Sequence, residues 1–321
     1  MNHSPIKILL LFYLPFAFLS CTKNLEIDIE EMEVKPVINC MFEPEKPMVV
    51  NISLSKSPTD SINYIVTNAE VFVYNDVNEK SELPHLGKGK YSLQTFKPQA
   101  GIIYHLQVEI PGYETVFASS SIPNGNTKVV SIESKSGYNN APVHGTGDTP
   151  QIPVENIKLS VFDDKAIDDF MGISVIQKQV NYFYKPDGEL EITEVPDKYI
   201  LSWYFGSTDI KVISEGIPDD IEKSIQLFRD VAFGGINEDV TFYVKKEIKS
   251  AYWIRFFKFS PEAFSYTKSW ILHDYTKDYD FWEIYEPLPL YSNITNGHGI
   301  FAGYYSQLYN VFPDSVITIN P

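Results

Sequence analysis

The chain is poor in cysteine, in positive charge and in long apolar runs, and each shortage closes off a class of function. Only Cys21 and Cys40 occur among 321 residues, so no disulfide framework holds the fold. Lys and Arg number 26 against 42 Asp and Glu, a formal charge of −16. Nucleic-acid phosphates would be repelled by that balance, and a basic hold on anionic lipid fails for the same reason. The six histidines, His3, His85, His105, His144, His273 and His298, never take the spacings of a zinc site. No Gly-x-Ser-x-Gly elbow, phosphate loop or dinucleotide fingerprint occurs. The expectation is a protein without catalytic residues, metal or cofactor.

The one long apolar run is at the start. Residues 5–19 read PIKILLLFYLPFAFL, shorter than the roughly 20 residues a spanning helix needs and broken by Pro15. With Lys7 near its start as the only formal charge, the run suits the core of an export signal over residues 1–20. It ends Phe18-Leu19-Ser20-Cys21, and this resembles the lipobox of bacterial lipoproteins. Leu19, Ser20 and Cys21 fit that pattern, while Phe18 departs from its favoured leucine. Sulfur is the nucleophile that accepts a diacylglyceryl group. One acyl chain holds a protein only marginally, at roughly 0.8 kcal/mol per buried methylene, whereas two or three on Cys21 make attachment lasting. Residues 21–35 then read as an acidic tether.

What fills the rest is β pattern. Tyr and Phe number 21 each, and apolar positions recur with period two. Met48, Val50, Ile52 and Leu54 alternate with Val49, Asn51 and Ser53, and Tyr104, Leu106, Val108 and Ile110 with His105, Gln107 and Glu109. Turns are expected at Asn75-Asp76, Gly87-Lys88-Gly89 and Pro111-Gly112. Short strands over residues 36–123 without a helix pattern predict a β-sandwich of immunoglobulin or transthyretin type. Cys40 falls in one of these strands as a small buried hydrophobe. Residues 124–153 lose all periodicity and read as a linker or long loop.

Alternation resumes at Ile157, Leu159 and Val161, so residues 154–321 are expected to form a second β-rich domain with one or two helices. Tyr252–Phe259, YWIRFFKF, is apolar on both faces apart from Arg255 and Lys258, the composition of a central strand. Ile217, Ile221, Ile225 and Phe228 have helical spacing. Ser260-Pro261-Glu262 offers an N-cap, an N1 proline and an early acid, opening a helix near 261–283 with a stripe of Phe264, Thr267, Ile271, Tyr275 and Trp282.

Several segments together resemble a family of Bacteroidota lipoproteins, the domain of unknown function DUF4249. They are Cys21 with its acidic sequel, Pro36-Val37-Ile38-Asn39, Ala69-Glu70-Val71-Phe72-Val73, Gly89-Lys90-Tyr91, Gly101 with Tyr104-His105-Leu106, and Ser121-Ile122-Pro123. Phe228-Arg229-Asp230, Ser260-Pro261-Glu262-Ala263-Phe264 and Lys268-Ser269 follow. The most specific is the closing stretch from Tyr291-Ser292-Asn293-Ile294-Thr295-Asn296-Gly297-His298-Gly299 to Tyr304. Cys40 and His298 depart from the glycine and leucine common there. The resemblance implies an outer-membrane lipoprotein, frequently encoded beside TonB-dependent transporters, and no assigned activity; the role expected from this is a non-enzymatic accessory or ligand-capture partner of such a transporter.

For a contact surface the sequence offers aromatic rings, able to stack on sugars or anchor an interface: Tyr275, Tyr279, Trp282, Tyr285, Tyr291 and Tyr304, with His298 between two glycines. Core packing and turn chemistry are the competing readings. Asp274, Asp278, Asp280 and Glu283 could form paired carboxylates of an envelope hydrolase or simply the wet face of the helix. Asp163, Asp164, Asp168 and Asp169 could offer oxygens to calcium or form a solvated acidic turn. A structural or adhesive surface protein is the remaining alternative.

Overall fold

The alternation read from the sequence becomes strand almost throughout. The computed structural model describes residues 33–56, 64–77, 79–124, 127–140, 151–163, 168–202, 205–213, 217, 223–233, 236–246, 250–277 and 288–319, and the protein is mainly β. Val34–Lys56 and Asp60–Pro321 form one unit; of the other, Met1–Glu33 with Ser57–Thr59, only Glu33 is among the described residues.

The first eight strands are β1 (Pro36–Phe42), β2 (Val49–Leu54), β3 (Glu70–Asn75), β4 (Lys80–Glu82), β5 (His85–Gly87), β6 (Lys90–Ser92), β7 (Ile103–Glu109) and β8 (Val116–Ser121). One sheet runs β4-β3-β7-β8, and β1-β2-β6-β5 end a larger nine-stranded sheet. Ile38, Cys40, Val50 and Ile52 from the larger sheet share one core with Val71, Val73, Leu106 and Val108 from the smaller. The two sheets therefore pack face to face, each with its period-two apolar side inward. Cys40 is 2% exposed, and burial pushes its thiol well above the ordinary range, so it is an inert hydrophobe.

The second half adds β9 (Lys128–Asn140), β10 (Gln151–Phe162), β11 (Phe170–Tyr184), β12 (Leu190–Leu201), β13 (Phe205–Gly206), the single turn α1 (Ile210–Ile213), β14 (Gln226–Arg229), β15 (Asn237–Lys245), β16 (Tyr252–Phe259), α2 (Pro261–Lys277), β17 (His298–Val311) and β18 (Val316–Thr318). A five-stranded sheet, β13-β15-β10-β9-β18, faces the β12-β11-β16-β17 end of the nine-stranded one. Ile157, Leu159, Val161, Val240 and Phe242 meet Met171, Ile173, Ile254 and Phe256 in a second core. As its two-sided apolar composition requires, β16 lies between β11 and β17.

Two expectations give way here. Residues 124–153 are not all loop, because β9 occupies Lys128–Asn140 and pairs antiparallel with β10. Its inward positions change from Val129 and Ile132 to Ser134, which donates from Oγ to the buried Glu155 at 2.9 Å. A polar pair thus replaces the apolar period while the ladder continues. Of the four positions with helical spacing, Phe228 lies in strand β14, paired with β11, and Ile217 and Ile225 lie in neither helix nor strand; residues 218–222, Ile221 among them, lie outside the described residues. Leu227 is 1% exposed and Phe228 0%, facing the third and second cores respectively, so β14 is apolar on both faces.

The predicted cap forms as read. Ala263 N–H donates to Ser260 Oγ at 3.1 Å and Phe264 N–H to the Ser260 carbonyl at 3.0 Å. Helix α2 ends at Lys277, and residues 278–287 lie outside the described residues. Its Ala263, Phe264 and Ile271 cover the far face of the nine-stranded sheet in a third core with Phe259, Ile300 and Ala302.

One strand joins all of this. From Val37↔His298 to Phe42↔Gly303, β17 runs parallel to β1; from Phe259↔Tyr304 to Tyr252↔Val311 it runs antiparallel to β16. Phe301 enters the first core, Ile300 and Ala302 the third, and Val311 the second. The boundary expected near residue 124 therefore separates two sets of strands but not two closed sandwiches. Glycine makes the threading possible. A Cβ on Gly299, whose φ is +107°, would lie 1.9 Å from the Ile38 carbonyl oxygen, and one on Gly303 2.4 Å from that of Ser121. Gly299→Ala is expected to cost roughly 3 kcal/mol or more, and Phe301→Ala about 3–5 kcal/mol. In urea titrations both sandwiches should lose stability together; a variant that melts only one half would contradict the shared-strand account.

Candidate functional site

The residues singled out from the sequence separate into three groups. Cys21, Tyr279, Trp282 and Tyr285, and the carboxylates Asp278, Asp280 and Glu283, lie outside the described residues. Tyr275 and Tyr304 pack partly buried against the third core. Burial first, then a hydrogen bond with the Glu43 carboxylate, pushes the Tyr304 phenol far above its ordinary value, and its ring lies beside Phe257 and Phe259. Tyr291 and His298 are exposed. Tyr291 N–H donates to Ser269 Oγ of α2 at 2.8 Å, which fixes its backbone against the helix.

His298 follows a turn in which Asn296 has φ +61° and donates from Nδ2 to the Thr115 carbonyl at 3.0 Å. Just before it, the Asn293 side chain acts as a short piece of ladder. It accepts from Phe301 N–H at 3.0 Å and donates to the Phe301 carbonyl at 2.8 Å. The stretch from Tyr291 to Tyr304 is thus the seam that locks β17 into place. Ser120 belongs to the same seam: its hydroxyl donates to Glu262 Oε2 at 2.8 Å and accepts from Gly303 N–H at 3.3 Å.

Asp163 and Asp169, set apart by sequence as calcium candidates, converge with Asp230, which no spacing linked to them. One carboxylate oxygen from each lies within 4.8 Å of the others. Loop ends after β10 and before β11 supply the first two, and Asp230 opens the 3-10 turn after β14. An all-carboxylate donor set is that of a hard cation such as calcium. The centre already holds a cation of the protein's own, since Lys258 Nζ lies 3.0 Å from Asp169, both nearly fully buried. Lys258 Nζ also donates to the Asn124 carbonyl at 2.6 Å, and Thr127 Oγ1 donates to Asp169. Burial, then the charges of Asp169 and Asp168, raises the Asp230 carboxyl above its usual range.

A second buried polar chain escaped sequence reasoning. Tyr252 donates to Ser134 Oγ at 2.7 Å, and Glu155 accepts from Ser134 and Ser136. Lys246 lies over the Tyr252 ring at 5.2 Å, and burial pulls its ammonium below the ordinary lysine value. Only the two serines in β9 hinted at it.

The third feature is an amphipathic ribbon. Beyond the sandwich β11 and β12 continue as a hairpin, where Tyr182 faces Ile192 and Tyr184 faces Leu190. Directly paired residues share a face, so these four form one apolar stripe, with Tyr184 80% exposed.

These features define a mainly β protein of two face-to-face sheet pairs sharing one strand, with buried polar networks at Lys258 and at Tyr252 of β16. A family model described as domain of unknown function DUF4249 matches residues 22–308, and the chain belongs to that family. A comparison with curated proteins finds no match.

Removing the internal cation should be costly. Lys258→Met leaves buried carboxylates uncompensated and is expected to destabilise by about 3–5 kcal/mol, read by chemical denaturation. Asp230→Asn should act in the opposite sense. A raised carboxyl favours the folded protein while protonated and loses that advantage as pH rises through the folded pKa. The variant should therefore gain melting temperature over wild type at about pH 7 and lose the gain at about pH 3; a pH-independent difference would refute this assignment.

Proposed function

We propose that the protein is an outer-membrane lipoprotein, held by a diacylglyceryl group on Cys21, that assists a TonB-dependent transporter without catalysis of its own. It does so by docking on the transporter or by capturing ligand for it. The observation that carries this reading is the apolar leader ending in Leu19-Ser20-Cys21. Among the described residues no helix is long and apolar enough to cross a membrane, and the charge of −16 gives no basic route to the lipid surface.

The docking role is supported by the ribbon stripe, an exposed sheet end of the kind other chains pack against. Of the C-terminal aromatic set, Tyr275 and Tyr304 are committed to packing, which leaves Tyr291 as its exposed described ring.

Extraction of the native lipoprotein in mild detergent, followed by pull-down, should retain a transporter, and Tyr184→Ser with Leu190→Ser should weaken that retention at least about tenfold. An isolated monomer with an unacylated N-terminus by mass spectrometry would overturn the proposal.

A further inference from the structure

The outer face of the five-stranded sheet carries a groove that the anchor, the seam and the ribbon leave unused. Core and outward positions alternate along β9, β10 and β15. Asn156 of β10 pairs with Lys135 on one side and Tyr243 on the other, so three outward side chains stand in a row across the sheet. The next row contains Glu133 and Lys158, joined at 3.0 Å. These residues, with Tyr138, line a cavity of about 470 Å³, within the range of about 300–1,000 Å³ common for small-ligand sites.

Two glycines shape its floor. A Cβ on Gly137 would lie 2.6 Å from Asn156 Nδ2, and one on Gly206 would lie 2.3 Å from the Tyr243 hydroxyl. The amide and the phenol therefore lie flat along the sheet, over positions where any other residue would lift them. The result is a level polar surface bearing an amide, a phenol and an ammonium, with Tyr138 beside them at 72% exposure.

That combination discriminates between ligand classes. Polyanions are disfavoured, because Lys158 is already held by Glu133 and also lies 3.7 Å from Asp239, in a molecule of charge −16. Purely apolar ligands would take the exposed Lys135 ammonium out of water and offer it no partner, while the Asn156 amide keeps only a long bond to the Lys135 carbonyl at 3.4 Å. A pyranose meets both demands, with hydroxyls for the amide, phenol and ammonium and a C–H face for an aromatic ring.

We propose that this groove binds a short oligosaccharide, with Asn156, Lys135 and Tyr243 as its polar floor. The site stands whether or not the chain is lipidated or works with a transporter. Full-length protein in detergent, titrated calorimetrically with maltotetraose, cellotetraose, chitotetraose and tri-galacturonate, is expected to bind at least one of the three neutral sugars saturably and tri-galacturonate more weakly. Asn156→Ala and Lys135→Ala should each weaken that binding at least about tenfold. Lys135 is exposed, so its variant keeps the test sound if the Asn156 variant misfolds. A neutral preference supports the site, and a preference for tri-galacturonate over all three neutral sugars would contradict it, because the groove disfavours polyanions. No saturable binding of any of the four up to about 5 mM, or binding that survives both substitutions unchanged, would overturn it.

Discussion

The structure depends on β17 pairing with two partners in two directions. A strand normally stabilises one sheet region, and here the first half of β17 lies parallel to β1 while the second lies antiparallel to β16. Parallel pairing needs a long connection, and in this chain the connection is almost the whole protein, from residue 42 to residue 298. Each sandwich therefore lacks its inner strand until the C-terminal region arrives. Folding must close that long loop before the first core is complete, an arrangement of high contact order that favours slow, cooperative folding.

That constraint explains where glycine and polar chemistry are placed. Backbone-to-backbone approach at Gly299 and Gly303 leaves no room for a side chain. The Asn293 amide substitutes for ladder bonds ahead of the strand, and the Ser120–Glu262 bond ties the first sandwich to the cap of α2. Lys258, paired with the buried Asp169, sits on the neighbouring strand β16. In a chain with so few cysteines, such fully bonded polar contacts specify register where a disulfide otherwise might.

The surfaces proposed for docking and for sugar binding lie outside the cores that β17 joins. The ribbon of β11 and β12 projects beyond both cores, and the outer face of the five-stranded sheet is free to carry a polar groove. Neither was legible in the sequence. Tyr182, Tyr184, Leu190 and Ile192 read as ordinary strand alternation, and nothing in the alternation itself says that the facing sheet stops short of them. Lys135, Asn156 and Tyr243 lie far apart in sequence and meet only through register. Conversely, the aromatic crowd toward the C-terminus looked like a surface, yet Tyr275 and Tyr304 are drawn against a core by α2 and β16.

What the sequence alone determined is local in origin. Period-two alternation set the β class, Ser260-Pro261-Glu262 set the start of α2, and the glycine turns at 87–89 and 112 follow from positive φ that other side chains resist. The tertiary structure decided which strands are neighbours, that Asp230 joins Asp163 and Asp169, and that one strand serves both sandwiches. Periodicity records only which face of a strand is buried. The identity of the strand lying alongside is settled by long-range hydrogen bonding and packing.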